Sequence, residues 1–304
     1  MPLSRRALLS LTAAAAGCSA DGERLPALRL ATGPIGGPYG VLGDRLAAEL
    51  RRRGGPVRVF KTAASVENLG LLAAGRADLG FALADSAEDA VRVRHRPVAA
   101  LARMYMNYVH LVVPADSPVR APGDLAGRAV SIGADGSGTA VTAERILAAA
   151  HLARPVRPVR LGLEASATDL RARRIAAFFW SGGVPTPALV ALGRATPIRL
   201  IPLGGLVRSL RRVHGPMYDT VTVSAGMYGT PVPVPTVGTA SYLVCRGSLP
   251  GRVAQTVTAV LFASRDRLQA PDAPGARLDR RYAVSTGGVP LHPGAVRYYR
   301  SVYG

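Results

Sequence analysis

The sequence predicts an α/β protein of two lobes around a hinged central cleft. Three observations predict it. Short apolar runs alternate with helical spacings between residues 28 and 89, the pattern of a parallel sheet with crossover helices. The alternation resumes after Gly127. Two apolar stretches, residues 99–113 and 239–244, flank the middle of the chain and can carry it from one lobe to the other and back.

The elements follow in order. Residues 28–31 are a brief strand, ended by the glycine-rich turn Gly33-Pro34-Ile35-Gly36-Gly37-Pro38. Val41, Leu42, Leu46 and Leu50 recur at helical spacing over residues 39–53, and Gly54-Gly55 stops that helix. Val57–Phe60 is a second strand. Ser65 opens a helix through Ala74, with Gly75 as its terminating residue. Residues 78–84 form a third strand, and 85–89 an acidic helix start. Pro114 and Pro118 break the stretch 99–113. Residues 122–127 make a turn and a single helical turn. A strand at 129–132, a glycine-rich loop at 133–138 and a helix at 139–151 come next. A buried strand at 176–180 ends in Ser181-Gly182-Gly183. A helix starts at Pro187, and 199–202 is a short strand. Residues 228–237 read as proline-rich and irregular, 239–244 as a strand beside 99–113, and 253–267 as one long amphipathic helix. No internal repeat is visible. The expected division is a signal peptide at 1–17, a tether at 18–27, lobe I from 28–113 and 245–304, and lobe II from 114–244.

Composition narrows the function. At 304 residues the chain is long enough for two domains of ~150 residues. Hydrophobic residues make up 48%, enough for a core and too many for a disordered chain. Aromatic residues are 5%, which argues against a base-stacking platform. Cys18 and Cys245 are the two cysteines, which excludes a disulfide scaffold and a cysteine zinc site. No two of the five histidines stand four apart, so no metal motif is present and no cofactor is expected. No run after residue 20 is long and apolar enough to span a bilayer. The net charge is +19, and all 38 basic residues except Lys61 are arginine. The clusters at 51–53, 171–174 and 208–212 read as solvated ends or faces of helices. None is long enough to be a phosphate-tracking arm, so nucleic acid is not an expected partner. A cationic surface favours anionic ligands and anionic lipid surfaces.

The N-terminus reads as an export signal. Arg5 and Arg6 precede a short apolar stretch, residues 7–16, and small residues surround Cys18. Ser4-Arg5-Arg6-Ala7-Leu8-Leu9 resembles a twin-arginine motif. Ala15-Ala16-Gly17-Cys18 resembles a lipobox, which would lipidate Cys18 and anchor the exported protein to the outer face of the cell membrane. An ordinary secretory signal with an incidental cysteine is the alternative.

Several motifs in register then resemble one family. They are residues 33–43, 65–72 with Gly75 and 77–81, 108–113, and 131–139. Further on come 177–179 with Gly183-Val184-Pro185-Thr186-Pro187, Val234-Pro235-Thr236-Val237-Gly238, and Pro290-Leu291-His292-Pro293-Gly294-Ala295. Together they resemble the TAXI proteins, the solute-binding subunits of one class of TRAP transporters. The resemblance implies an exported receptor with a type II periplasmic-binding-protein fold. It would capture a small organic anion or amino acid and deliver it to an ion-gradient-driven, TRAP-type membrane permease. A ligand sensor on the same fold, signalling to a membrane kinase, stays open. The chain departs from the family's usual pattern at Pro34, Ile35, Pro38, Gly40, Ala63, Ala64, Leu83 and Val184, where polar or glycine residues are usual. A relative's ligand therefore does not transfer.

Three helix starts are expected to converge on the cleft: after Gly36-Gly37, at Ser65, and after Ser137-Gly138-Thr139. Each presents free N–H groups and about half a positive charge, an anion site that needs no metal and no catalytic base. The Ser137 and Thr139 hydroxyls are expected to bond a carboxylate. Tyr39 and Trp180 supply walls with a polar tip each. Asn68 and Asp85 complete the candidate ligand-binding set, although a cap is the plainer role for Ser65, Asn68 and Asp85. An enzyme is not expected. Gly136-Ser137-Gly138 lacks the outer glycines of a nucleophile elbow, since Asp135 and Thr139 stand there.

Overall fold

β1 (Leu28–Ala31), β2 (Val57–Phe60) and β3 (Leu79–Leu83) form a parallel sheet, with β1 between the other two. α1 (Pro38–Arg52) and α2 (Ser65–Ala73) are the crossovers. The computed structural model describes residues 24–35, 37–268 and 278–304, so the signal sequence, Cys18 and Gly36 lie outside the described residues. Val57 and Val59 alternate with Arg58, as a strand with one covered face requires. Gly75 ends α2 at φ +66°, the left-handed conformation glycine adopts without strain.

α3 (Ala84–Glu88) follows β3 directly and widens into a π-turn through Val93. β4 (Val98–Pro114) is the long strand expected at 99–113. β5 (Ala129–Ser131), α4 (Gly138–Ala149), β6 (Arg157–Val159), α5 (Leu163–Arg171) and β7 (Ala177–Gly182) build a second parallel patch, with β5 between β6 and β7. α6 (Pro187–Ala195), β8 (Ile198–Leu200), α7 (Val207–His214) and β9 (Tyr218–Val223) lead into β10 (Val234–Arg246). The chain closes with α8 (Gly251–Ala263), α9 (Arg265–Leu268), α10 (Arg280–Ala283) and α11 (Pro293–Tyr303). No helix among the described residues is long and apolar enough to cross a membrane.

The two patches join through β4 and β10. The sheet order is β2-β1-β3-β10-β4-β7-β5-β6, with β8 on β4 and β9 on β10. β10 runs antiparallel to β4 from Gly238 against Tyr108 to Arg246 against Val98. The ladder is irregular between Ala240 and Tyr242 and between Leu243 and Val244. Such bulges bend and twist a strand locally. Leu30, Leu46, Phe81 and Leu261 pack one core; Val130, Ile146, Phe179 and Tyr218 pack another beyond it.

Two expectations are corrected. Residues 228–237 are not irregular throughout, because Val234 to Val237 already pair with β9. The helix expected at 253–267 breaks at Ser264, whose hydroxyl bonds the Val260 carbonyl four residues back and competes with the helical ladder. β6, β9 and α11 were not foreseen. Of these, β6 is three residues long and mostly exposed.

Candidate functional site

The loops after β1, β2, β5 and β6, with the end of β3 and part of β7, meet the middle of β4 around a single cleft. Its wall comprises Pro34, Gly37, Pro38, Tyr39, Ala63, Ala64, Ser65, Leu83, Tyr105, Asn107, Gly133, Ala134, Ser137, Gly138, Thr139, Leu161, Gly162, Leu163, Phe179, Trp180 and Ser181. The cavity is about 100 Å³, counted as space open to the centre of a water-sized sphere. One water needs roughly 10–15 Å³ on that measure, so the space suits a small molecule and no polymer.

Seven of the ten predicted ligand-site residues line this cleft: Gly37, Tyr39, Ser65, Ser137, Gly138, Thr139 and Trp180. The Tyr39 ring stacks on Phe81 at 5.3 Å, and its hydroxyl shares a 2.7 Å hydrogen bond with Ser241. Burial raises its pKa, so it stays protonated. The Asn107 amide donates to the same Ser241 oxygen. The Ser65 hydroxyl does not cap its helix; it accepts from the Leu83 N–H at 3.0 Å and pins the end of β3. Ser137 does cap α4, accepting from the Ala140 N–H at 3.2 Å. Thr139 Oγ1 accepts from the Ser181 N–H at 3.3 Å, tying α4 to β7. The Trp180 indole N–H donates to Thr186 Oγ1 at 3.0 Å, which leaves the ring as a wall.

The three helix starts are not equivalent. At α2 the Val66 and Glu67 N–H groups both donate to the Gly136 carbonyl at 3.0 Å, so the other half of the molecule already occupies that terminus. At α1 the first residue is Pro38, which has no N–H. At α4 the N–H groups of Gly138 and Thr139 have no intrahelical acceptor, because they are the first two of the helix. The anion terminus expected three times is therefore best developed once. Gly133 and Gly136 hold the preceding loop at φ +101° and +74°, which other residues adopt only with strain.

Asn68 and Asp85 do not join the cleft wall. The buried Asn68 amide donates to the Thr32 and Phe81 carbonyls at 2.6 and 2.8 Å and accepts from the Thr62 hydroxyl, stitching β1, α2 and β3. Asp85 is fully buried behind the cleft. One carboxylate oxygen accepts from the Thr142 hydroxyl at 2.6 Å and the Tyr218 hydroxyl at 3.0 Å; the other accepts from the Ser86 N–H at 2.6 Å. Arg145 extends this network to Tyr218 and Asp89.

The sequence reading missed Tyr105, Asn107, Leu161, Leu163, Phe179 and Ser181. Tyr105 and Asn107 stand two apart on β4, as do Phe179 and Ser181 on β7, so each pair shares a face. A tyrosine and an asparagine inside an otherwise apolar strand were the available signal. The hydroxyls of Tyr105 and Ser181 are buried and have no hydrogen-bond partner. Burial raises the Tyr105 pKa well above its ordinary value. His110, directly opposite Trp180 in the β4–β7 ladder, is pushed down to about 4 by burial and sits neutral. No charged side chain appears among the described lining residues. Nor do the described residues include a group of three or more His, Cys, Asp or Glu able to hold a metal ion.

An ancestral arginine-binding protein solved with arginine resembles this structure with a TM-score of 0.53 at 12% identity, over 79% of this chain and 92% of that one. A Xanthomonas citri protein solved with a chloride ion gives 0.51 at 15% identity, over 91% and 95%. The substrate binding protein of an amino acid ABC transporter gives 0.50 at 15% identity, over 79% and 93%. At these identities the likeness establishes the fold, that of type II periplasmic binding proteins, with its curled sheet and flanking helices. The profile of the NMT1-like family matches residues 30–302, and the chain belongs to that family.

Proposed function

We propose that the chain is an exported solute-binding receptor that closes on a small carboxylate and presents it to a membrane permease. One observation carries this reading: a small-molecule-sized cleft is walled from both halves of the sheet and offers hydrogen-bond donors and aromatic walls. The start of α4 receives the carboxylate through the N–H groups of Gly138 and Thr139, with the hydroxyls of Ser137 and Thr139 beside them. The named solute-binding proteins that share this fold support the assignment. The TAXI resemblance points to a TRAP-type permease as the partner.

Residues 28–113 with 245–304 act as one lobe and 114–244 as the other, and β4 and β10 are the hinge. The two ladder irregularities in β10 give the hinge a place to bend. Closure lowers the local dielectric around the carboxylate and strengthens its contacts. The ligand shifts the open–closed balance by its differential affinity for the closed form. Lipidation of Cys18 would hold the receptor at the outer face of the membrane.

The test is mass spectrometry of small molecules released on denaturing the purified protein. A stoichiometric carboxylate supports the reading, and turnover of a supplied carboxylate would replace it with an enzyme. Small-angle scattering reads closure as a smaller radius of gyration with ligand. Cys18→Ser should move the protein from the detergent phase to the soluble fraction, and unchanged partitioning would reject the anchor.

A further inference from the structure

The cleft carries no side-chain charge among its described residues. Its body is Pro34, Tyr39, Leu83, Leu163, Phe179 and Trp180, and its polar groups are hydroxyls, an amide and helix N–H groups. An α-ammonium group entering this space would meet no carboxylate. The acids next to lining residues in the chain point elsewhere: Asp135 is exposed and pairs with Arg160, Glu67 accepts from the Ala63 N–H, Glu164 is exposed and outside the wall, and Asp85 is spent on Thr142, Tyr218 and Ser86. Buried ammonium groups need a paired anion, and none is offered here. A second carboxylate fares no better. Gly136 occupies the α2 terminus, Pro38 removes a donor from α1, and α4 supplies about half a positive charge, enough for one anion.

We infer that the ligand is a monocarboxylate with an apolar, preferably aromatic, body and no ammonium group. This rests on the solute-binding reading above and narrows it: amino acids and dicarboxylates are excluded. Aromatic rings would lie between the Trp180, Tyr39 and Phe179 faces. Tyr105 and Ser181 give a second, independent pointer. Both are at least nine-tenths buried among the lining residues; the Ser181 hydroxyl has no protein partner, and the Tyr105 hydroxyl faces only Ser241 Oγ, which Tyr39 and Asn107 already engage. A buried hydroxyl left unmade is costly, and an oxygen-bearing ligand head supplies the missing acceptor.

The chain has one tryptophan, and it stands in this wall, so its fluorescence reports on the cleft alone. Titrate ligand-stripped protein with benzoate, phenylacetate, phenylalanine, glutamate and succinate, following Trp180 emission and confirming by calorimetry. The expected result is saturable binding of benzoate or phenylacetate at least ~10-fold tighter than phenylalanine, the matched molecule that adds an ammonium. Tyr105→Phe and Ser181→Ala should each weaken the aryl carboxylates by ~10-fold, given the strength of hydrogen bonds to a charged group. Tighter binding of phenylalanine, glutamate or succinate overturns the inference and leaves the receptor reading standing. Absence of binding by every probe also overturns it; the receptor reading then falls only if denatured protein releases no small molecule at all.

Discussion

Arg145 of α4 holds Asp89, beside α3, through two hydrogen bonds of 2.6 Å, one to each carboxylate oxygen. Its other nitrogen donates to the Tyr218 hydroxyl at 3.0 Å, which in turn donates to Asp85. The network thus ties the end of the first parallel patch to α4 of the second and to β9, the strand on the edge of β10. Arg145 is largely buried, so its neighbours depend on it. Arg145→Met should lower unfolding free energy by about 3 kcal/mol, the low end for breaking a buried pair from one side. Urea denaturation measures it, and a loss under ~0.5 kcal/mol, the size of a surface effect, would show that the network is dispensable.

Gly138 is small because Ser65 is there. A methyl group at 138 would stand 2.4 Å from Ser65 Oγ and 2.8 Å from Leu83 Cδ1. Gly138→Ala should push α4 away from α2 and destabilise by about 1–3 kcal/mol, as overpacking does. It should also enlarge the radius of gyration. Adding Ser65→Ala removes the closest atom and should recover part of the loss. Scattering and thermal melts on both variants test the contact.

Ser137→Ala removes the N-cap of α4, which costs about 1 kcal/mol of stability. The same change should weaken carboxylate binding, because the cap sits at the anion terminus. Combining it with Thr139→Val should deepen the affinity loss to about 1.5–3 kcal/mol, the worth of one hydrogen bond to a charged group. Calorimetry on the double variant reads this directly; native affinity would move the carboxylate elsewhere.

Acid should weaken the fold through His110. Burial takes its pKa from 6.5 to about 4, so the folded protein disfavours the charged imidazole. The stabilising contribution of the neutral ring is complete above pH 6.5. It declines as the unfolded chain takes up its proton, and is lost as pH falls to about 4, where the folded form protonates too. The total is about 3 kcal/mol. Comparing stability at pH 7 and pH 4.5 for the wild type and His110→Phe should show a steeper fall in the wild type. Equal slopes would mean the ring is hydrated in the native state.

Much of this was legible locally. The helix stop at Gly75 needs only a few neighbouring residues and stands as read, and so does a helix beginning beside Ser137, whose hydroxyl the structure also uses as the cap. The strand pairing of 239–244 with 99–113 followed from two apolar runs of matching character. What could not be read was chemistry set by distant partners. The α2 terminus looked free until Gly136, from a loop far along the chain, was found on it. Asp85 and Asn68 are the residue types that bind ligands, and only the positions of Tyr218, Thr142, Thr32 and Phe81 reveal that they are already occupied. The loop at Leu161 and Leu163 escaped because β6 before it has no apolar alternation to announce a strand.

The place of β10 in the sheet also fixes a timetable. Phe81 finds its strand partner in Leu243, most of the chain later, and Ala102 waits for that same residue. During synthesis the first three strands and β4 exist long before the strand that belongs between them. Until Val234 and its successors emerge, β3 and β4 each present a bare edge, the feature that invites pairing with other chains. Such long-range closure is slow compared with local helix formation. A chain cut short before Val234 would therefore yield no finished half, and its product should be recovered in inclusion bodies or in the grip of a holding chaperone.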